Sequence, residues 1–514
     1  MKRIGIVGGS FNPIHERHLE LGLSALKERK LDHMIFLPTG NPPHKREGLE
    51  DGEHRWEMTC LAVSGLENCS VSRCELDREG TIYTVDTLTI LKKQYPDAQF
   101  EYVIGEDTLR DLPNWRSPDE VFKLCTFVVC CRSHENLEKD EIVSQLQQRG
   151  ARFAFLTLPP RDVSSTAVRD SLARGQVPPE LSPQVMEYIR IFGLYGVKPS
   201  PEGFMEWYPL LKSVLSPKRL VHSLCVSFCA RELAGIYHVS EEKAALAGLL
   251  HDCAKCIPLE EMQNFIQAGK QDVDVEIYGN GNLLHGYAGA VRANREFHTE
   301  DEEILDAIRT HTTGRPGMST LEMILFLADK MEPSRKSYPE LENIRSLVAR
   351  SLIEAMKVSL QSSADYVAGR GERLHPSTLK TLEWLKNQTE KQKERNKMRE
   401  LALKIAEILY EKKAWDIVAL DVTGMTIITD CMVIASGRNA LQVRALADEV
   451  EDRMSELGYE PRRKEGQQDG LWAVLDYEGV LVHIFHTEQR DFYRLDKLWE
   501  TEANRIPLPF EKED

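Results

Sequence analysis

Two histidines three positions apart, His15 and His18, follow a glycine-rich turn, Gly8-Gly9-Ser10-Phe11. Glycines let a backbone come close to an anion, and the start of the next helix offers free N–H groups and positive potential. Both imidazoles can face that helix end. There they can stabilise charge developing on a transferred nucleotidyl group without a covalent intermediate. Taken alone, these residues suit a phosphate site or two surface histidines at an ordinary strand–helix turn equally well. The remote partner decides between them: Ser164-Ser165-Thr166 followed by Arg169. Hydroxyls at a helix start cap it and donate to phosphate, and an arginine can clamp phosphate oxygens.

A second set of chemistry-bearing residues lies further on. His222, the pair His251-Asp252 and the distant Asp329 each fall in a stretch of helical periodicity. Side chains from separate helices of a bundle can converge on one cation, and neutral imidazoles with carboxylates suit iron, manganese or zinc better than calcium. A cation held there would lower the pKa of bound water and supply hydroxide for attack on a phosphoester. His285 and His311 add two more imidazoles. A single histidine on an apolar helix is more often a satisfied core residue, so it is the ordered set that carries weight.

Positioning the first set requires strands that end at the turn. Short apolar or β-branched runs (IGIV, MIFLP, FEYVIG, TFVVCC, ARFAFLTL) alternate with amphipathic stretches up to about Val197, which predicts βαβ units around a parallel sheet. Lys198 to Gly203 reads as a linker, and fused domains usually move independently. From Phe204 to about Leu385 strand signals nearly vanish and apolar residues recur at helical spacing. Asn387 to Arg399 is charged enough for an exposed helical connector, and a small α/β domain follows it. The expected fold class is thus multidomain. A Rossmann-like α/β domain (1–198) is followed by an all-α bundle (204–388) and a small mixed-sheet α/β domain (398–510).

A formal net charge of −16 argues against generic nucleic-acid binding through a basic surface. No apolar stretch approaches the ~18 residues that cross a bilayer. The start, MKRIGIVGGSFNP, is too short in apolar residues for a signal peptide, so a cytoplasmic protein without membrane contact is expected. Eleven cysteines, an odd number, predict no disulfide framework. Cys253/Cys256 and the adjacent Cys130/Cys131 read as free thiols rather than a zinc site.

GSFNPIH near the start with SSTxxR near its end resembles the HxGH nucleotidyltransferase superfamily. PPHK (42–45), YTVDTL (83–88), IGEDTL (104–109) and LPNW (112–115) narrow the resemblance to bacterial nicotinate-nucleotide adenylyltransferase. It implies that His15, His18 and Arg169 handle ATP phosphates, with Gly8, Gly9, Ser10, Phe11, Ser164, Ser165 and Thr166 around the nucleotide. Thr84, Asp107 and Trp115 would line the pyridine pocket beside His44 and Lys45, and Mg²⁺ would accompany the ATP. One position departs from the pattern: the glycine of HxGH is Arg17. Arg17 can point away, meet phosphate as an extra cation, or obstruct the site. Obstruction would favour a competing reading, a ribosome-associated regulator whose first domain binds nucleotide without turnover.

HDCAK, LLHGYAGA, RTHTTG and LADKMEPSR resemble the HD hydrolase superfamily, and within it the YqeK family. The resemblance implies a helical, iron-binding enzyme that cleaves diadenosine tetraphosphate symmetrically to two ADP. His222, His251, Asp252 and Asp329 would hold iron or another divalent transition metal. Lys255, His285, His311, Arg335, His375 and Pro376 would contact nucleotide, with the two histidines as alternative ligands to a second metal. ALDVTGMTIITD, VIASGRNALQVRALADEVED and LWAVLDYEGVLVHIFHTEQRDFYRLDKLW resemble the ribosomal silencing factor family, which implies docking on the large-subunit protein uL14 and no catalysis. Arg490, Phe492, Tyr493, Arg494 and Trp499 are the expected contact residues. Asp430-Cys431-Met432 stands where that family has Asp-Tyr-Phe, which alters one aromatic patch.

Overall fold

The computed structural model describes residues 2–40, 48–131, 140–159, 163–201, 203–369, 371 and 374–510. His44 and Lys45 lie outside the described residues. The chain divides into two compact units, Met1–Leu382 and Glu383–Asp514.

In the first unit, strands β1 (Arg3–Gly9), β2 (His33–Pro38), β3 (Cys69–Val71), β4 (Gln99–Gly105), β5 (Cys125–Cys131) and β6 (Phe153–Thr157) form one sheet. The order is β3-β2-β1-β4-β5-β6, and every pair is parallel. The apolar runs of β1, β2, β4 and β5 are buried because helices cover both faces of a parallel sheet, whereas the edge strands β3 and β6 are mostly half-buried. Phe127 of β5 is fully buried and meets Tyr102, Trp115 and Phe122 edge to face. The three-residue β3 has no period-2 pattern to announce it.

After β1 the chain builds outward to β2 and β3, then returns to place β4 on β1's other side. That reversal opens a crevice at the carboxyl ends of β1 and β4, where ligands of open α/β sheets bind. The glycine-rich turn leaves β1 at this point. Part of the reason for glycine is packing: a Cβ on Gly8 would fall 2.3 Å from the Tyr102 hydroxyl.

From Phe204 onward the unit is helical. His222 lies on Pro217–Ile236, and Glu241–Leu250 runs into His251-Asp252. His285 lies on Gly281–Glu296, His311 ends Glu302–Thr310, and Asp329 lies on Thr320–Met331. The expected linker does not separate two independent bodies. Glu57 of the Gly52–Val63 helix accepts from Tyr208 (2.6 Å) and pairs with Lys212 (2.5 Å) on the Phe204–Val214 helix. Tyr188 and Phe192 pack on Tyr208, with ring centroids 5.2 and 5.5 Å away. Aromatic contacts and the ion pair of the buried Glu57 hold the two sides together across the expected linker.

The charged connector lies within one long helix, Pro376–Glu411. In the second unit, β7 (Trp415–Asp421), β8 (Cys431–Gly437), β9 (Arg463–Glu465), β10 (Trp472–Asp476) and β11 (Val480–His486) make a sheet ordered β7-β8-β11-β10-β9. Only β8 and β11 pair in parallel. The Ala440–Glu456 helix buries Val443, Leu446, Ala447 and Val450 in the core. Cys431 and Met432 are both buried in β8, so the departure at this position alters the interior rather than a surface patch.

Candidate active sites

At the carboxyl end of β1, Phe11 takes a φ of +44°, a left-handed conformation that costs an aromatic residue roughly 1–2 kcal/mol. Its fully buried ring stands edge-on to His18 at 5.0 Å. The His15 and His18 rings lie 3.8 Å apart, and His18 Nδ1 accepts from the His15 backbone N–H. Burial pulls the pKa of His15 down to about 4, so it is neutral near pH 7.

The remote half of the motif folds onto the same turn. Ser164 caps the Ser165–Ala173 helix by accepting from the Ala167 N–H. Ser165 Oγ donates to the Pro13 carbonyl, and Arg169 donates to the Asn12 carbonyl (2.8 Å) and to Thr166. Thr84 begins the Thr84–Gln94 helix, and Asp107 is exposed on Glu106–Asp111 just beyond β4. Trp115 is half-buried, edge-on to Tyr102 at 6.1 Å. Arg17 lies along its own helix, donating to Glu20 (2.9 Å) and to the Pro159 carbonyl just beyond β6 (3.2 Å).

The second cluster is almost wholly enclosed. His222, His251, Asp252, His285, His311 and Asp329 are all buried. Ligating atoms of His222, His251 and Asp252 fall within 4.8 Å of one another, and so do those of Asp252, His285 and His311. Asp329 Oδ1 lies 3.1 Å from His222 Nε2 and 3.8 Å from His251 Nε2. Two of the histidines use the same local device. His251 and His311 each end a helix, and each Nδ1–H donates back three residues, to the Gly248 carbonyl (2.7 Å) and the Ile308 carbonyl (2.6 Å). Helix ends leave such carbonyls free.

His222 Nδ1 donates to Glu332 (3.1 Å), whose carboxylate also accepts from the N–H and hydroxyl of Ser334. All three rings are thereby oriented with Nε2 turned inward. With Lys255 donating to His285 Nδ1 at 3.3 Å, the His285 proton sits on Nε2, facing Asp252 Oδ1 (3.2 Å) and His311 Nε2 (3.1 Å). Burial alone would push Asp252 upward, yet the surrounding imidazoles hold it well below the usual carboxylate range.

A cavity of about 1090 Å³ opens beside His222 and Glu332. Lys218, Arg219, Arg335 and Lys336 line it together with Tyr338 and Tyr366. Arg219 pairs with Asp252 at 2.6 Å and Arg335 with Asp329 at 2.5 Å. The sequence reading missed Glu332 and Arg219. Their signal was spacing, three after Asp329 and three before His222 on the same helical faces. His375 faces Asp274 and Glu276, and Pro376 opens the long helix. Cys253 is buried, Cys256 exposed, and both are free thiols.

In the second unit, Phe492, Tyr493 and Arg494 are exposed and Trp499 is half-buried against the core. Arg490 corrects the expectation of a contact residue. It is buried and paired with Asp416 (3.3 Å) and Asp496 (3.4 Å), so it holds the fold instead. Ile427 and Ile428, on the loop between β7 and β8, are exposed apolar residues that the sequence reading passed over. Among the described residues no helix is long and apolar enough to cross a membrane.

Comparison with known proteins agrees with this division. Residues 6–171 match the cytidylyltransferase-like family, 219–334 the HD domain, and 395–514 the family described as ribosomal silencing factor during starvation. A probable nicotinate-nucleotide adenylyltransferase of Gloeobacter violaceus is 38% identical over 201 residues, covering 38% of this chain and 97% of that protein. A probable nicotinate-nucleotide adenylyltransferase/Ap4A hydrolase of Mycoplasma genitalium is 28% identical over 365 residues, covering 70% of this chain and 97% of that one. The crystal structure of a predicted HD superfamily hydrolase involved in NAD metabolism, from Clostridium acetobutylicum, is 36% identical. It covers 36% of this chain and 97% of that one, with a TM-score of 0.35.

Fold and sites therefore define an enzyme that joins a nucleotidyltransferase module and an HD module to a ribosomal-silencing-factor module. By its identity across nearly the whole Gloeobacter relative, the chain belongs to the nicotinate-nucleotide adenylyltransferase family.

Proposed function

We propose that the first module transfers the adenylyl group of ATP to nicotinate mononucleotide, giving deamido-NAD and pyrophosphate. One observation carries the reading: the two distant halves of the motif meet through the Asn12 and Pro13 carbonyls at the end of β1. A phosphate oxygen of the mononucleotide attacks the α-phosphorus of ATP. The α–β bridging bond breaks, and pyrophosphate leaves. His15 and His18 hydrogen-bond the α-phosphate oxygens, where negative charge grows in the transition state. His15, being neutral, contributes a donor rather than a charge.

Arg169, Thr166 and the serines of the cap hold the departing pyrophosphate. Thr84, Asp107 and Trp115 receive the pyridine nucleotide, together with His44 and Lys45. Mg²⁺ bound with ATP offsets charge on the transferring oxygens. The commitment of Arg17 to Glu20 and Pro159 supports turnover over bare binding. The test is pyrophosphate release with ATP, Mg²⁺ and nicotinate mononucleotide. Release that requires the mononucleotide and is lost in His18→Ala is expected, and none from folded wild type would leave a nucleotide-binding remnant.

The second module is a metal-dependent phosphohydrolase of diadenosine tetraphosphate. His222, His251, Asp252 and Asp329 would hold a divalent transition metal, with iron the first candidate. The donor set fits, because the buried Nε2 atoms of His222 and His251 have no hydrogen-bond partner and face two carboxylates. When bound, such a metal makes water a competent nucleophile near pH 7. Arg219, Arg335, Lys218 and Lys336 receive the polyphosphate chain, and Lys255 with His285 orients the phosphate under attack. ADP release by wild type and none by Asp252→Ala is the expected result.

The third module docks on the large ribosomal subunit, at uL14, through Phe492, Tyr493 and Arg494. Exposed aromatics beside arginine are typical of interface anchors. Capture of large subunits by residues 398–514, weakened by Arg494→Glu, is the corresponding test. The proposed substrates and partner support a cytoplasmic location.

A further inference from the structure

Glu187 is a charged residue with no exposed surface, on the Pro183–Phe192 helix. That helix belongs to the sheet-bearing fold: Gln184 donates to the Leu61 carbonyl, and Tyr188 bonds His54. Yet the Glu187 carboxylate reaches the other fold, with only its Oε2 near a cation of its own helix, Arg190 at 3.6 Å. Its Oε1 accepts from Arg231 Nη2 at 2.9 Å and lies 3.0 Å from Ser227 Oγ. Both partners sit on the Pro217–Ile236 helix that carries His222.

Ser227 is also where that helix crosses the one leading to His251. Its Oγ lies 2.8 Å from the Ala245 carbonyl. A Cβ on Gly248 would fall 2.7 Å from Ser227 Cα, so the two helices touch backbone to backbone. The Gly248 carbonyl in turn holds His251 Nδ1. One carboxylate from the nucleotidyltransferase fold therefore rests on the crossing that sets the separation of His222 from His251. Burying a charge is costly, and a buried pair is poor evidence for stability. Its use lies in fixing one arrangement.

We propose that Glu187 is a positioning residue for the histidine–aspartate cluster, so that the adenylyl-transfer fold buttresses the hydrolase site. The proposal rests on the reading of that cluster as a metal site. Metal-free full-length protein is titrated with Co²⁺, followed by visible absorption, alongside both activities. Glu187→Ala is expected to weaken Co²⁺ binding about 10-fold, as loss of an outer support does. It should also alter the band shape and lower kcat on diadenosine tetraphosphate at unchanged KM. Pyrophosphate release should stay at the wild-type level.

Glu187→Gln keeps the Oε1 acceptor and should recover most of the loss. Wild-type Co²⁺ affinity and spectrum in Glu187→Ala would overturn the proposal. An effect on Co²⁺ without dinucleotide cleavage by either protein would sink the substrate reading and leave the positioning role standing. If Glu187→Ala does not fold, Ser227→Ala carries the same test with the same overturning result. If wild type binds no Co²⁺, amide hydrogen exchange across residues 245–252 decides, and exchange unchanged by Glu187→Ala refutes the role.

Discussion

The adenylyl-transfer site and the histidine–aspartate cluster share one compact unit but are built in opposite ways. At the first, the chemistry-bearing side chains come from strand ends and first helical turns, and Ser164, Thr166 and Asp107 stand exposed. At the second, they come from helix interiors and helix carboxyl ends, and all six are buried. The first is held by backbone, since Asn12 and Pro13 carbonyls anchor Arg169 and Ser165. The second is held at the imidazoles themselves, one by the Glu332 carboxylate and two by the helix-end carbonyls of Gly248 and Ile308. An exposed site can tolerate an odd residue such as Arg17 by turning it aside. An enclosed one has less freedom, because a buried polar atom left without a partner is costly.

The sharpest way to break this contrast is to remove the central carboxylate. Asp252→Ala should abolish metal binding and dinucleotide hydrolysis, a loss of at least about 10³-fold, because Asp252 is common to both ligand groups. Pyrophosphate release by the same protein should be unchanged. Stripping divalent metal and restoring only Mg²⁺ should separate the activities in the same direction. Next in size, His18→Ala should lower kcat/KM for adenylyl transfer by about 10²–10³-fold, the usual loss when a preorganised donor to the transition state goes. Hydrolysis measured beside it should not move.

Glu332→Gln should weaken metal binding by about 10-fold or more, since it frees the tautomer of His222. The same loss from Glu20→Ala at the open site would contradict the comparison. Its expected effect, through a released Arg17, is within about threefold in kcat/KM.

The smallest effect is in pH dependence. His15 has a folded pKa near 4, below its unfolded value, so the unfolded chain takes its proton first as pH falls. Its contribution to stability is therefore full above about 6.5 and declines from there toward 4. Thermal melts over that window should fall less steeply in His15→Asn. A pH–rate profile for adenylyl transfer should show no limb from this group between pH 5 and 8.

The residues that gather in each cluster were legible as residue types in order along the chain. The parallel strands were legible because strands buried on both faces read as continuous apolar runs, as in CTFVVCC. The two short edge strands, β3 and β9, were not, since three residues carry no periodicity. Glu332 and Arg219 escaped because a carboxylate and an arginine at helical spacing look like any solvated face until the buried histidine beside them is placed. Arg490 failed in the reverse sense: arginine beside aromatics reads as surface, but Asp416 and Asp496 draw it inside.

The sequence by itself determined the order of the modules, the parallel sheet that carries the first site and the inventory of groups available for chemistry. These follow from local pattern and from residue type, which need no partner. Only the tertiary structure decided which ring nitrogen each histidine turns inward, where Arg17 lies, and that Glu187 reaches a neighbouring fold. Each of those depends on atoms far apart in sequence, such as Arg17 with Pro159 or Glu187 with Arg231, and burial sets their value by removing the water that would otherwise compete.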